Sequence, residues 1–461
     1  MKPARLAQLS RSIISALAFV CSATLTLAQL PANSSIALAP GTTPGTLGFT
    51  LTDPANNLYV VQSSTDLVTW TDIATWKLHN GSFHRAFSHD PVLTPRRFFR
   101  AVFDPARNDI QSTLATALVL PATPANYASP SLPSAFLAPV IAAQDNTPAN
   151  NPVTDAGALL GRTLFYDKRL SLNRTVSCAS CHSQAHGFAD PRPLSVGFAG
   201  GLTGRNSMGL ANARWYQRKA MFWDERAATL EAQVLQPIQD SVEMGMTLPA
   251  LVTRLGAEPY YATLFTNAFG SAEVTTDRIS KALAQFVRSI VSTQTKYDAG
   301  VAVGFTNFTA QENLGRQIFF SQFKSAGCSS CHGTDNFVPS QMFNNGLENP
   351  YVDKGLGGRT GLPRDEGLFK APSLRNIALT APYMHDGRFA TLEQVVEFYN
   401  SGVVDHPNLS PAMKFRGDGT PRNLDKLTTT EQSALVAFLR ALTDEALTND
   451  PKFADPFNYG D

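Results

Sequence analysis

Cys178-Ala179-Ser180-Cys181-His182 decides how this chain is read, and it recurs as Cys328-Ser329-Ser330-Cys331-His332. Two thiols separated by two residues and followed at once by an imidazole form the attachment signal for c-type haem. The chemistry dictates the spacing. Each thiol adds to one vinyl group of the porphyrin, and the adjacent imidazole turns inward to take one axial position on the iron. Cys178, Cys181, Cys328 and Cys331 are therefore expected to carry two covalent haems c, with His182 and His332 as the fifth ligands. A zinc knuckle would need further Cys or His at close spacing, and these are missing. A dithiol redox pair would favour a βαβ setting and has no use for the histidine.

The rest of the composition suits that reading. The chain has 461 residues, with 43% hydrophobic and 16% charged, which is ordinary globular material with room for several domains. A net charge of +1 implies no broad attraction to nucleic acid or to an anionic membrane. Of five cysteines, four belong to the motifs and the fifth is Cys21, so no disulfide framework remains. Lys2, Arg5 and Arg11 precede an apolar run from Ile13 to Leu27, with a cleavage point after Ala28. Residues 1–28 read as a secretory signal peptide, with an uncleaved anchor as the alternative. No other stretch is apolar enough to cross a bilayer, so no membrane span is expected after cleavage. Covalent haem is normally attached outside the cytoplasm, which places the protein in the periplasm or outside the cell.

Residues 31–104 read as a small β-sandwich-like module. Leu58-Tyr59-Val60-Val61 is β-rich, Asp72–Leu78 and Ser82–Ser88 flank Asn80-Gly81 as a hairpin would, and Arg97–Phe103 resembles a closing strand. His79, His84 and His89 read as solvated strand histidines, not metal ligands. Residues 105–153, punctuated by proline, read as a linker or an arm lying over a neighbouring domain. Helical periodicity then takes over. Leu159, Leu160, Leu164 and Phe165 share a face, as do Ile279, Leu283, Phe286, Val287 and Ile290. Thr309 with Glu312 forms a capping box for a helix expected to run into the second motif, and Thr428 with Glu431 forms another. The expected architecture is mainly α: two cytochrome c-like haem domains in tandem, at 154–300 and 301–461, behind the β module.

Around the motifs, from Ala156 onward, the chain resembles the bacterial di-haem cytochrome c peroxidases, including their MauG-like branch. The resemblance is carried by Leu160-Gly161-Arg162-Thr163-Leu164-Phe165, Arg205-Asn206-Ser207, Phe222-Trp223-Asp224, Val242-Glu243-Met244, and Pro372-Ser373-Leu374-Arg375-Asn376 leading to Ala381-Pro382-Tyr383-Met384-His385-Asp386-Gly387. It implies that the haem of His182 is the peroxide site and the haem of His332 transfers electrons. Gln233, Pro237 and Glu243 match the distal pocket. Heterolysis of the O–O bond needs a group that moves a proton from the inner to the outer oxygen, as a carboxylate can, and an amide can hold the peroxide. Trp223 matches a tryptophan between the haems. Asn206, Thr380 and Pro382 match a calcium site whose amide and carbonyl oxygens are suitable hard ligands. The β module loosely resembles modules appended to some secreted bacterial enzymes.

Three positions depart from the family. Many members carry a histidine in the loop after the first motif that closes the peroxide site until the other haem is reduced. Here Phe198 stands in its place and cannot ligate iron, so the first haem is expected to be five-coordinate without activation. His186 lies too close to His182 to reach the opposite face. Classical members carry a methionine fourteen positions after the histidine matching His385, and here that position is Tyr399. MauG-type enzymes use tyrosine there, a hard anionic donor that lowers the potential; Met413 is the alternative ligand. Glu225 follows Asp224 where glycine is usual. The resemblance implies a di-haem peroxidase that reduces hydrogen peroxide. Its electrons would come from a small redox protein, a cytochrome c or cupredoxin, or from a protein substrate by MauG-like oxidation. The rival is a non-catalytic di-haem electron-transfer cytochrome.

Overall fold

The computed structural model describes residues 34–40, 46–53, 58–77, 82–88, 97–103, 117–121, 125–321, 328–338, 341–414 and 427–458. The expected signal peptide, Cys21, His79 and His89 lie outside them, as does the side chain of His84. The described chain forms two compact units, a β unit and a helical unit that begins after residue 109.

The β unit has six strands: β1 Ser35–Pro40, β2 Thr46–Thr52, β3 Leu58–Ser64, β4 Thr71–Lys77, β5 Ser82–Ser88 and β6 Phe98–Phe103. They form two three-stranded sheets, ordered β1-β2-β5 and β4-β3-β6. Phe49 of β2 and Phe99 of β6 meet at 6.3 Å between ring centroids, which joins the inner faces of the two sheets. Inside, buried Asp53 accepts a hydrogen bond from the Tyr59 hydroxyl. Asn80-Gly81 lies outside the described residues, but the strands expected to pair across it do not pair with each other. β4 pairs with β3 and β5 lies in the other sheet.

In the helical unit, α1 (Asp155–Tyr166), α2 (Leu230–Gln233), α3 (Thr276–Ser289), α4 (Ala310–Phe320), α5 (Leu392–Glu397) and α6 (Thr429–Arg440) carry the frame. Each begins at a threonine whose side-chain oxygen accepts a backbone N–H of the first turn. The Thr309–Glu312 and Thr428–Glu431 boxes form as expected. However, α4 ends at Phe320, where Ser321 turns extended, and Cys328–His332 is a separate short helix.

The unit is built from two similar halves. Leu160-Gly161-Arg162-Thr163-Leu164-Phe165 in α1 has a counterpart in Leu314-Gly315-Arg316-Gln317-Ile318-Phe319 in α4. A Cβ on Gly161 would lie 1.9 Å from the Ala282 carbonyl oxygen of α3, and one on Gly315 would lie 1.9 Å from that of Ala434 in α6. The halves also share a later turn. Phe222 and Glu225 (φ +72° and +54°) correspond to Met384 and Gly387 (φ +74° and +68°), each turn being closed by a bridge, Met221–Ala227 or Tyr383–Phe389. Gly161→Ala should force α1 and α3 apart and lower the stability of the helical unit by about 1–3 kcal/mol, read as a reduced denaturation midpoint.

Each half has its own core. Leu160, Leu164, Phe165, Ile279, Leu283 and Phe286 build the first, and Phe319, Phe337, Leu392, Val396, Leu435 and Phe438 the second. Leu447, Phe453 and Phe457, beyond α6, return to the first core. The proline-rich segment packs in two places, Tyr127 in that first core and Phe136 with Ile141 in a small separate cluster around Trp215. Buried Tyr127 donates to the Lys452 carbonyl, and the Phe136 ring meets Trp215 at 4.8 Å. Among the described residues, no helix is long and apolar enough to cross a membrane.

Candidate active site

Both motif histidines are held by the same device. His182 Nδ1 lies 2.9 Å from the Phe188 carbonyl oxygen, and His332 Nδ1 lies 3.0 Å from that of Phe337. A carbonyl only accepts, so Nδ1 must carry the proton and Nε2 keeps its lone pair for a metal. Phe188 and Phe337 both sit in the left-handed region (φ +61° and +53°), which turns each carbonyl back toward its ring. Burial disfavours the imidazolium form of both histidines, which suits a neutral ligand. Burial also pushes the thiols of Cys178 and Cys328 up to about 12.

His182 faces a cavity of about 620 Å³, a size common for cofactor sites. Gln233, Pro237 and Glu243 line the same cavity. Gln233 closes α2, Pro237 lies in the next helical turn, Gln236–Gln239, and Glu243 follows it. The Asp240 carboxylate accepts the backbone N–H groups of Val242 and Glu243 and so fixes that turn. The Glu243 carboxyl is held above the usual range, first by burial and then by Asp240, with Arg226 opposing. Phe198 is absent from the cavity lining. Its N–H donates to the Glu243 carbonyl at 2.9 Å, and its ring lies against Gly245, where it leaves no room for a Cβ. Gly197 is pressed against the Val242 carbonyl in the same way. The loop is thus fastened to the segment that carries Glu243. His186 lies outside both cavity linings, 3.3 Å from the Ser183 hydroxyl.

Cys328, Cys331 and His332 line a second cavity of about 250 Å³ with Tyr399 and Met413. Tyr399 lies in a single π-helical turn, Phe398–Gly402, that continues α5. Such turns recur at functional sites because the extra residue re-aims a side chain. Asn345 Nδ2 donates to Tyr399 Oη at 3.2 Å. Burial raises the Tyr399 phenol to about 12, with the Asn345 contact opposing.

Trp223 lines both cavities. Its indole N–H donates to the Asn206 carbonyl at 2.8 Å, and the Asn206 N–H donates to the His385 carbonyl at 2.7 Å. Asn206 Nδ2 donates to the carbonyls of Arg192 and Pro193, which leaves Oδ1 as the acceptor. Asn206, Thr380 and Pro382 share the lining of the second cavity. Among the described residues, no cluster of three or more His, Cys, Asp and Glu side chains stands ready for a metal; the calcium candidates are amide and carbonyl oxygens instead. Arg205 ties the halves together, bonded to Asp224 at 2.8 Å and to Asp353 at 2.6 Å.

Several residues at these cavities carry no sequence signal of their own. Arg226 reaches the first cavity beside Asp224. Asn345 meets Tyr399 from far along the chain. Lys370 is buried and lines both cavities. Tyr216 lines the first cavity, and Glu225, the departure from glycine, turns inward to it and to Arg218.

Two covalent attachment motifs, each with an imidazole of fixed tautomer beside a cavity, define a di-haem c-type cytochrome, and a carboxyl and an amide share the cavity of His182. The chain belongs to the di-haem cytochrome c peroxidase family, which matches residues 155–303 and 309–414, and is an oxidoreductase of that class. It is 34% identical over 301 residues to the methylamine utilization protein MauG of Methylophilus methylotrophus, covering 65% of this chain and 86% of that one. It is 34% identical over 340 residues to the cytochrome c551 peroxidase of Nitrosomonas europaea, covering 73% and 93%. The crystal structure of a MauG-like protein associated with microbial copper homeostasis superposes with a TM-score of 0.59 at 37% identity, over 68% of this chain and 96% of that one.

Proposed function

We propose that the exported protein carries haem c on Cys178 and Cys181 and on Cys328 and Cys331, and reduces hydrogen peroxide in the His182 cavity with electrons drawn through the His332 half. The observation that carries this reading is Trp223, which borders the cavity of Gln233 and Glu243 on one side and that of Tyr399 on the other. Bound haem would supply the iron that receives peroxide and the capacity to hold oxidising equivalents. Gln233 holds the peroxide by its amide, and Glu243 takes the proton from the inner oxygen and delivers it to the outer one. Pro237 shapes the wall between them. Trp223 relays electrons between the halves. Tyr399, which shares a cavity with His332, would hold the iron of the second haem together with it. Asn206, Thr380 and Pro382 hold one Ca2+ at the junction. The site of action is the periplasm or the exterior.

Phe198 and Tyr399 favour MauG-like oxidation of a partner protein as the physiological reaction. Nothing in the fastened loop at Phe198 can cap the iron, and a tyrosinate ligand favours the oxidised state. Scavenging, with a cytochrome or cupredoxin as donor, is the second reading, supported by the similarity to a cytochrome c551 peroxidase. Electron paramagnetic resonance of the oxidised holoprotein should show one high-spin and one low-spin iron. A wholly low-spin spectrum that ignores added peroxide would overturn the proposal. Slow turnover with reduced cytochrome c supports partner oxidation, and fast turnover supports scavenging.

A further inference from the structure

Tyr216 is buried, with 2% of its surface exposed, and lines the His182 cavity. Its hydroxyl donates to Glu225 Oε1 at 2.5 Å. Glu225 is itself buried and is held from the far side by Arg218, whose Nε and Nη2 reach Oε1 and Oε2 at 2.7 and 2.6 Å. The position of Glu225 is costly for anything but glycine. Its φ is +54°, and the corresponding residue of the second half is Gly387. Only glycine adopts this region without a steric penalty. A side chain retained there against backbone strain points to a use for it. The use in view is a carboxylate delivered to a phenol.

Lys370 links this pair to the relay. Its backbone N–H donates to the Trp223 carbonyl at 2.8 Å, and its Nζ stands 3.8 Å from the centre of the Tyr216 ring. Tyr216 is therefore within one lysine side chain of Trp223. A cation over the ring face stabilises its π electrons and opposes their removal. Under that cation the ring can lose an electron only if positive charge leaves with it, and the hydrogen bond to Glu225 provides the path.

We propose, resting on the peroxidase reading above, that Tyr216 is a redox-active side chain that gives one electron through Trp223 to the peroxide-oxidised haem pair while its proton passes to Glu225. The O–H bond of Tyr216 breaks and an O–H bond forms on the Glu225 carboxylate. Tyr216 is oxidised to the neutral phenoxyl radical, and the haem pair is reduced by one electron. Return of an electron from the donor or substrate, and of the proton from Glu225, restores the pair. Oxidising equivalents can then rest in the protein, beside the haem and shielded from water, until a slow partner arrives.

The test is freeze-quenched electron paramagnetic resonance of the holoprotein after one equivalent of hydrogen peroxide, with and without ring-deuterated tyrosine. The expected radical signal narrows on deuteration, vanishes in Tyr216→Phe, and falls in Glu225→Gln, which keeps Tyr216 but removes its proton acceptor. Lys370→Met should strengthen it. The same signal in Tyr216→Phe, or no tyrosine-derived signal in a protein whose optical spectrum does answer peroxide, overturns the assignment to Tyr216. A spectrum that does not answer peroxide at all overturns the peroxidase reading, and this assignment with it. An unchanged resting spectrum and melting temperature in Tyr216→Phe separate loss of the radical from loss of the fold.

Discussion

Glu243→Gln should slow the reaction of the oxidised holoprotein with hydrogen peroxide by about 10²- to 10⁴-fold, the range for losing a positioned proton-transfer group. Glutamine keeps the shape and hydrogen-bonding reach of the side chain but cannot accept the peroxide proton. The resting spectrum should stay unchanged, because Glu243 is not an iron ligand in the proposed site. The wild-type rate should also fall toward acid. Burial and Asp240 hold the Glu243 carboxyl above the usual range. The base form is therefore lost as pH falls through that raised value, at a higher pH than an exposed glutamate would require. Stopped-flow mixing with peroxide across pH checks both points. A Glu243→Gln protein with the wild-type rate and pH profile would remove Glu243 from the proton transfer.

Tyr399→Met should raise the reduction potential of the His332-side haem by on the order of hundreds of millivolts, since axial ligands move haem potentials across ~0.8 V. It replaces a hard anionic oxygen with a soft neutral sulfur. The two states should also differ in spectrum, the variant gaining the signature of a His–Met iron. Spectroelectrochemical titration of both proteins reads the shift. An unmoved potential would mean that Tyr399 does not bind the iron and would favour Met413, which lines the same cavity.

What could be read from the sequence was what is local. A CxxCH run needs no distant partner, and its histidine is presented by the turn that follows at once. Helices α3, α4 and α6 announce themselves through an N-terminal threonine and an apolar face. Gln233, Pro237 and Glu243 were found through resemblance, and the structure brings them to the His182 cavity. The failures are non-local. Asn80-Gly81 is a strong hairpin signal, yet the partners of β4 and β5 are decided by the two sheets as wholes. Helix α4 ends at Phe320, short of the second motif, with no glycine or proline beside it to mark the stop. Asn345, Lys370 and Tyr216 have no motif of their own, because each acquires its role from side chains that only the fold brings beside it. Glu225 stood out as a departure from glycine, but only the fold shows Tyr216 waiting for it.

The stretch beyond α6 sets an order of assembly. Arg162 Nε donates to the Ala454 carbonyl, Tyr166 Oη to that of Phe453, and Gln184 Nε2 to those of Leu447 and Asp450. These bonds clamp the ground around the first CxxCH run, and their acceptors are translated some 270 residues after it. The half that is made first is therefore finished last. A nonsense codon just after α6 would remove these acceptors and so loosen the first half, not the half on which it falls.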